Sequence, residues 1–148
     1  METRPAESNY FMDLTRTYPK SPKETLLGLV HLPRMIDKAK AFKENNLGEY
    51  IYPCPLDKLL LNFFIVDYEE FAKKTTSLNG QKLTKWLEEK SQNRTDPEKQ
   101  FINRQILERK PDSDDRMKYF MEVRDKINPS RTDVSTWVGL LDLEEGRL

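Results

Sequence analysis

Pro55-Leu56-Asp57-Lys58-Leu59-Leu60-Leu61-Asn62-Phe63-Phe64 is the stretch on which the fold turns. Leu56, Leu59, Leu60, Phe63 and Phe64 fall at i, i+3, i+4, i+7 and i+8, which lays one apolar stripe along a helix. Proline at the first helical position brings a preset φ and lacks an N–H where none is needed. Asp57 stands in the first turn, where a carboxylate offsets the helix dipole and can cap. This helix is expected to be the centre of the core. Leu56 to Val66 contains Asp57, Lys58 and Asn62 and is far shorter than the ~20 apolar residues of a membrane span.

The same period recurs on both sides. Downstream, Asp67 with Glu70 makes a capping box for a helix carrying Phe71 and Ala72. Asn79-Gly80 is a turn signal, and Leu83, Trp86 and Leu87 mark the next helix. Asp96-Pro97 opens another with Phe101, Ile102 and Ile106, closed by Pro111. The acidic run Asp112 to Asp115 suits a helix start, with Met117, Phe120, Met121 and Ile127 as its apolar stripe. Val134, Trp137, Val138 and Leu141 define the last helix. Upstream, Ser21-Pro22-Lys23-Glu24 reads as a capping box for a short helix presenting Leu26, Leu29 and Val30. Pro33 restarts the chain as a helix to about Asn45, with Met35, Ala39 and Phe42 on one face. Residues 49–53 read as extended, because Tyr52 and Cys54 each precede a proline and are pushed out of the α region. Residues 1–20 form an arm, loose unless Tyr10, Phe11, Met12 and Leu14 dock on the body. The expectation is an all-α protein: an arm over 1–20, then one compact domain over 21–148 of seven or eight short helices with one short extended segment.

Composition narrows the function classes. The chain has 148 residues, 34% of them charged, with 25 basic and 25 acidic side chains. Partners such as generic nucleic acid or an anionic membrane call for a basic excess, so neither is expected. No apolar leader opens the chain, and with one thiol a soluble cytoplasmic protein is the default expectation. One cysteine and one histidine argue against a disulfide, a cysteine-built zinc site and His-rich metal sites, so no metal is expected. The five glycines are scattered, so there is no phosphate loop, and no catalytic elbow or Glu-x-x-His pair is present. No cofactor is expected.

The densest chemistry lies between Leu32 and Asp57. Arg34, Asp37 and Lys38 occupy adjacent turns; they read either as a solvated helix face or, with the helix N-terminus near Pro33, as an anion site. Tyr50, Tyr52 and Cys54 share one face if the segment is extended, either as packing or as a pocket wall. Cys54 sits at the N-cap of the Pro55 helix, where unpaired amides favour a thiolate, but the neighbouring Ile51, Leu56 and Leu60 favour a buried, slowly reacting thiol. Asp57 reads most simply as a cap, and His31 as a hydrogen-bonded helix-end histidine.

These stretches carry a resemblance. Asp13-Leu14-Thr15, Ser21-Pro22, residues 32–41 (with Lys40 where arginine is commoner), Gly48 to Asp57, Trp86-Leu87 and the late Trp137 to Arg147 segment resemble a mainly bacterial family. It is catalogued as a domain of unknown function, number fifty sixty-nine. The resemblance covers almost the whole chain and implies no reaction; it points to which residues to inspect. Two functions follow. The first is a non-enzymatic helical module, compatible with a homodimer, that binds a protein partner or a small anionic ligand through Arg34, Asp37, Lys38, Tyr50, Tyr52, Cys54 and Asp57. The second is a small enzyme or thiol-based redox protein using the same residues. Convergence of those side chains on one concave pocket would favour the second.

Overall fold

The computed structural model describes residues 11–148. Among them the order is β1 (Thr25–Leu26), β2 (Leu29–Val30), α1 (Leu32–Lys43), α2 (Pro55–Phe64), α3 (Tyr68–Ser77), α4 (Gly80–Lys90), α5 (Asp96–Leu107), α6 (Asp114–Ile127) and α7 (Trp137–Glu144). The fold is mostly helical, with seven helices and one two-stranded antiparallel hairpin.

The helix expected after Ser21 is replaced by that hairpin. Leu27 and Gly28 both take positive φ, as a two-residue hairpin turn of the I′ kind requires. α5 clamps it from outside. Val30 N–H donates to Asn103 Oδ1 at 3.0 Å, Asn103 Nδ2 donates to the Gly28 carbonyl at 2.9 Å, and Lys99 Nζ donates to the Leu27 carbonyl at 3.1 Å. The capping residues form only a turn: Ser21 Oγ accepts from Lys23 N–H but donates to Asp142, far along the chain. Tertiary partners thus override a local helix signal that had little room before Pro33.

The other helix starts follow the sequence. Asp67, Asn79, Thr95, Ser113 and Thr136 cap α3 to α7 by accepting from the amide three residues on. The main core gathers Leu29, Met35, Ala39, Leu60, Phe64, Phe71, Leu87 and Ile106 from β2 and α1 to α5. Leu56, Leu60, Phe63 and Phe64 are buried, and Leu59 is half-buried at its edge. The most enclosed helix is α1, however, where nine of twelve residues are buried, including Arg34, Asp37, Lys38 and Lys40. It packs on α3 along one side and meets β1 on another.

A second small core joins Phe120 of α6 to Val134, Leu140 and Leu143 around α7, and Trp137 packs on Phe120 with ring centroids 5.2 Å apart. Of the stripe expected on α6, only Phe120 is buried; Met117, Met121 and Ile127 are exposed. A third cluster docks part of the arm: Met12 and Leu14 pack with Ala41, Leu47 and Tyr50, while Phe11 is exposed. Tyr10 lies outside the described residues. Gly48 has positive φ, and a side chain there would crowd the Leu14 carbonyl at 3.2 Å. Residues 50–54 run without pairing into a strand, and the Tyr52–Pro53 peptide is cis.

Candidate functional site

α1 and α2 begin side by side, and their first turns carry the chemistry. His31 is the N-cap of α1, in a left-handed conformation, and Cys54 is the extended N-cap of α2. Asp57, two residues into α2, is fully buried and takes three donors. His31 Nε2–H donates to Oδ1 at 2.7 Å, Lys38 Nζ to Oδ2 at 2.7 Å, and the Cys54 backbone N–H to Oδ2 at 2.9 Å. Burial alone would push the Asp57 carboxyl up. The hydrogen bond from His31 and the Lys38 charge outweigh it and hold the group well below the usual carboxylate range. For His31 the balance falls the other way: burial outweighs the pull of Asp57, so the imidazole is kept neutral. A neutral ring that donates from Nε2 leaves a lone pair on Nδ1, and Nδ1 has no hydrogen-bond partner.

One helical turn away, Arg34 makes a bidentate pair with Glu145, at 2.8 Å from Nη1 and 2.7 Å from Nη2. Tyr50 Oη donates to the same carboxylate at 2.8 Å, and its ring lies 5.5 Å from the Arg34 guanidinium carbon. Burial first, then the Glu145 hydrogen bond, pushes the Tyr50 phenol up, so it stays a donor. Arg147 also reaches Glu145, and it donates to the Pro19 carbonyl at 2.6 Å. Asp142 accepts from Ser21 Oγ and pairs with Lys23 and Arg147. The C-terminal turn and the chain around residues 19–23 are therefore stitched together over α1.

The structure divides the seven residues singled out in the sequence. Lys38, Cys54 and Asp57 meet at one point. Arg34 and Tyr50 sit together beside it, paired to Glu145. Asp37 points elsewhere: it accepts from the Lys20 backbone N–H at 3.0 Å and from Lys20 Nζ at 3.3 Å. Tyr52 turns away from Tyr50. Its ring packs on Phe42 and Tyr68, and its hydroxyl donates to the Tyr68 carbonyl at 2.7 Å. The solvated-face reading of α1 is overturned, because these charges are buried, with Arg34 and Lys38 matched by carboxylates from other elements and Asp37 by Lys20. Glu145, Asp142 and Arg147 complete the network and were not singled out; the sequence signal for them was the late Trp137 to Arg147 segment.

Cys54 is half-buried. Burial, then the Asp57 charge, raises its thiol, and nearby Lys38 only partly offsets this. A ring nitrogen of His31, Cys54 Sγ and an Asp57 carboxylate oxygen all lie within 4.8 Å of one another, a donor set able to hold a metal.

The second feature is a concavity of about 310 Å³ between the hairpin, α1 and the start of α4. Lys20, Glu24, Asp37 and Lys40 line it with Leu26, Ile36 and Leu83. Lys40 Nζ also donates to the Thr75 carbonyl at 2.6 Å.

Fold and site together define a small, mostly helical protein organised around a buried ion network. The chain belongs to the family described as Domain of unknown function (DUF5069), whose model matches residues 16–147. No curated protein matches the chain. No helix among the described residues is long and apolar enough to cross a membrane.

Proposed function

We propose that the protein is a non-enzymatic module that binds a small anionic molecule in the concavity between the hairpin, α1 and α4. The observation that carries this reading is the lining: four ionisable side chains from the 20–24 turn and α1 over an apolar floor. Its volume, about 310 Å³, is at the lower end of the range of small-molecule sites, ~300–1,000 Å³. Lys20, Lys40 and the N-terminus of α4 at Gly80 would receive a carboxylate or phosphate. Asp37 and Glu24 would accept from a hydroxyl or amine on the same ligand, and Leu26, Ile36 and Leu83 would cover a compact apolar body. In this reading Asp37 touches the ligand. Arg34, Lys38, Tyr50, Tyr52, Cys54 and Asp57 position α1, which forms the pocket wall.

The alternative, a small enzyme or thiol-based redox protein, draws on the meeting of Cys54, Lys38 and Asp57. It is disfavoured because burial raises the thiol and because Arg34 and Lys38 are each engaged by a carboxylate.

A thermal-shift screen of small carboxylates and phosphates against their neutral analogues tests the binding reading. A ligand at 100 times its Kd adds about 2.7 kcal/mol of stability. Thr84→Trp, on the pocket lining, should abolish the shift while leaving the unliganded melting temperature nearly unchanged. Absence of any shift across the anionic panel, or an equal shift in Thr84→Trp, refutes the assignment.

A further inference from the structure

We propose that His31, Cys54 and Asp57 form a binding site for a divalent metal ion of the zinc class at the paired starts of α1 and α2. Sequence spacing gave no hint of it, since the three residues come from two helix caps separated by the whole of α1 and the following loop. The donors are one imidazole nitrogen, one thiolate and one carboxylate oxygen, a mixed set that zinc and cobalt accept readily and that magnesium and calcium do not. Their ligand atoms already lie within 4.8 Å of one another. A metal at ~2.0–2.3 Å from each would need them about 3.2–3.8 Å apart, so His31 Nε2 and Asp57 Oδ1, now 2.7 Å apart, would have to open to admit it.

The tautomer of His31 that the site requires is open to it. His31 is fully buried, yet Nδ1 has no partner, the one such side-chain atom among the described residues. Buried polar atoms are almost always paired, and an exception calls for a cause. Moving the ring proton to Nδ1, where no partner opposes it, gives up the Nε2–H···Oδ1 hydrogen bond to Asp57, and bonds from both atoms to the metal would replace it. That move frees the Nε2 lone pair, which already faces Asp57 Oδ1.

Binding is a proton-for-metal exchange: the Cys54 S–H bond breaks, the sulfur bonds the metal, and one proton leaves to solvent. Asp57 is already a carboxylate, and His31 exchanges one neutral tautomer for the other. Lys38 keeps Asp57 Oδ2 at 2.7 Å, where it orients the carboxylate but also opposes the incoming charge. Three protein ligands leave a fourth position for water or another small donor. Cys54, the least buried of the three, marks the side from which metal and that fourth ligand arrive.

Cobalt(II) titration of the full chain, read by visible absorption, tests the site. One equivalent should bind with a thiolate-to-cobalt charge-transfer band, and zinc should erase the cobalt spectrum. Cys54→Ser should lose the band, and His31→Gln and Asp57→Asn should weaken binding about tenfold or more. Lys38→Met, which removes the competing charge, should tighten it. Circular dichroism identifies any variant that fails to fold, and Cys54→Ser, at a half-buried position, keeps the test decisive. No charge-transfer band in the folded wild-type chain overturns the proposal. So does a band of unchanged affinity in folded His31→Gln and Asp57→Asn, which would mean a thiol binding cobalt alone.

Discussion

Glu145 is kept ionised against its surroundings. Burial works to raise its carboxyl, but the Arg34 hydrogen bonds and charge, with Tyr50 and Arg147, outweigh it and hold the group below its ordinary value. Its pKa is therefore lower in the folded chain than in the unfolded one, and the unfolded chain takes up the proton first as acid is added. The stabilisation is complete above the unfolded value of ~4.3 and is lost as pH falls through the lower folded value. Urea midpoints measured across pH 2 to 7 should show a fall on the acid side that is shallower in Glu145→Gln, which has no carboxyl to titrate. An identical acid slope in both proteins would mean that Glu145 titrates alike folded and unfolded. At this scale the sequence was informative about chemistry and silent about partners. Arg34, Lys38, Tyr50 and Asp57 could be picked out because polar groups crowd one segment. Their pairing could not, because Glu145 stands 111 positions from Arg34 and spacing carries no trace of that contact.

At the scale of elements, apolar period and capping residues were sufficient to place α2 to α7, since each start offers an amide-accepting side chain, although on α6 the period misjudged the face and only Phe120 of the expected stripe is buried. Leu60 lies at the middle of the α2 stripe and has no exposed surface. Leu60→Ala should cost ~2–5 kcal/mol in a denaturant titration, the lost transfer energy plus a cavity. A loss under half a kilocalorie would place α2 at the periphery. Two elements escaped the pattern for different reasons. The hairpin at 25–30 is made by its clamps, Asn103 and Lys99, which lie more than seventy residues downstream. α1 looks amphipathic by period, yet its polar face is buried too, because other elements supply carboxylates and carbonyls to meet it. A charged helical face reads as solvated unless its counter-charges are known, and those come only with the tertiary structure.

Across the whole molecule, the ion network joins parts of the chain that the apolar cores leave separate. The main core runs from β2 to α5 with Val138 of α7, and a smaller one ties α6 to α7. Arg34, on the most enclosed helix, reaches Glu145 just past the end of α7, and Ser21 reaches Asp142 within it. These contacts hold the C-terminal turn over α1, and a buried pair of this kind has a definite energetic signature. Removing one partner strands the other charge in a low-dielectric site, whereas replacing both by apolar groups of similar size removes the desolvation cost along with the attraction. Arg34→Met and Glu145→Leu should therefore each destabilise by about 3–5 kcal/mol, while the double variant should recover most of that loss. Chemical denaturation of the four proteins gives the coupling energy directly. Recovery implies that the pair specifies where the C-terminal turn docks more than it adds stability. Additive losses would mean instead that each side chain acts through other partners: Arg34 through the Lys20 carbonyl and Tyr50, and Glu145 through Arg147.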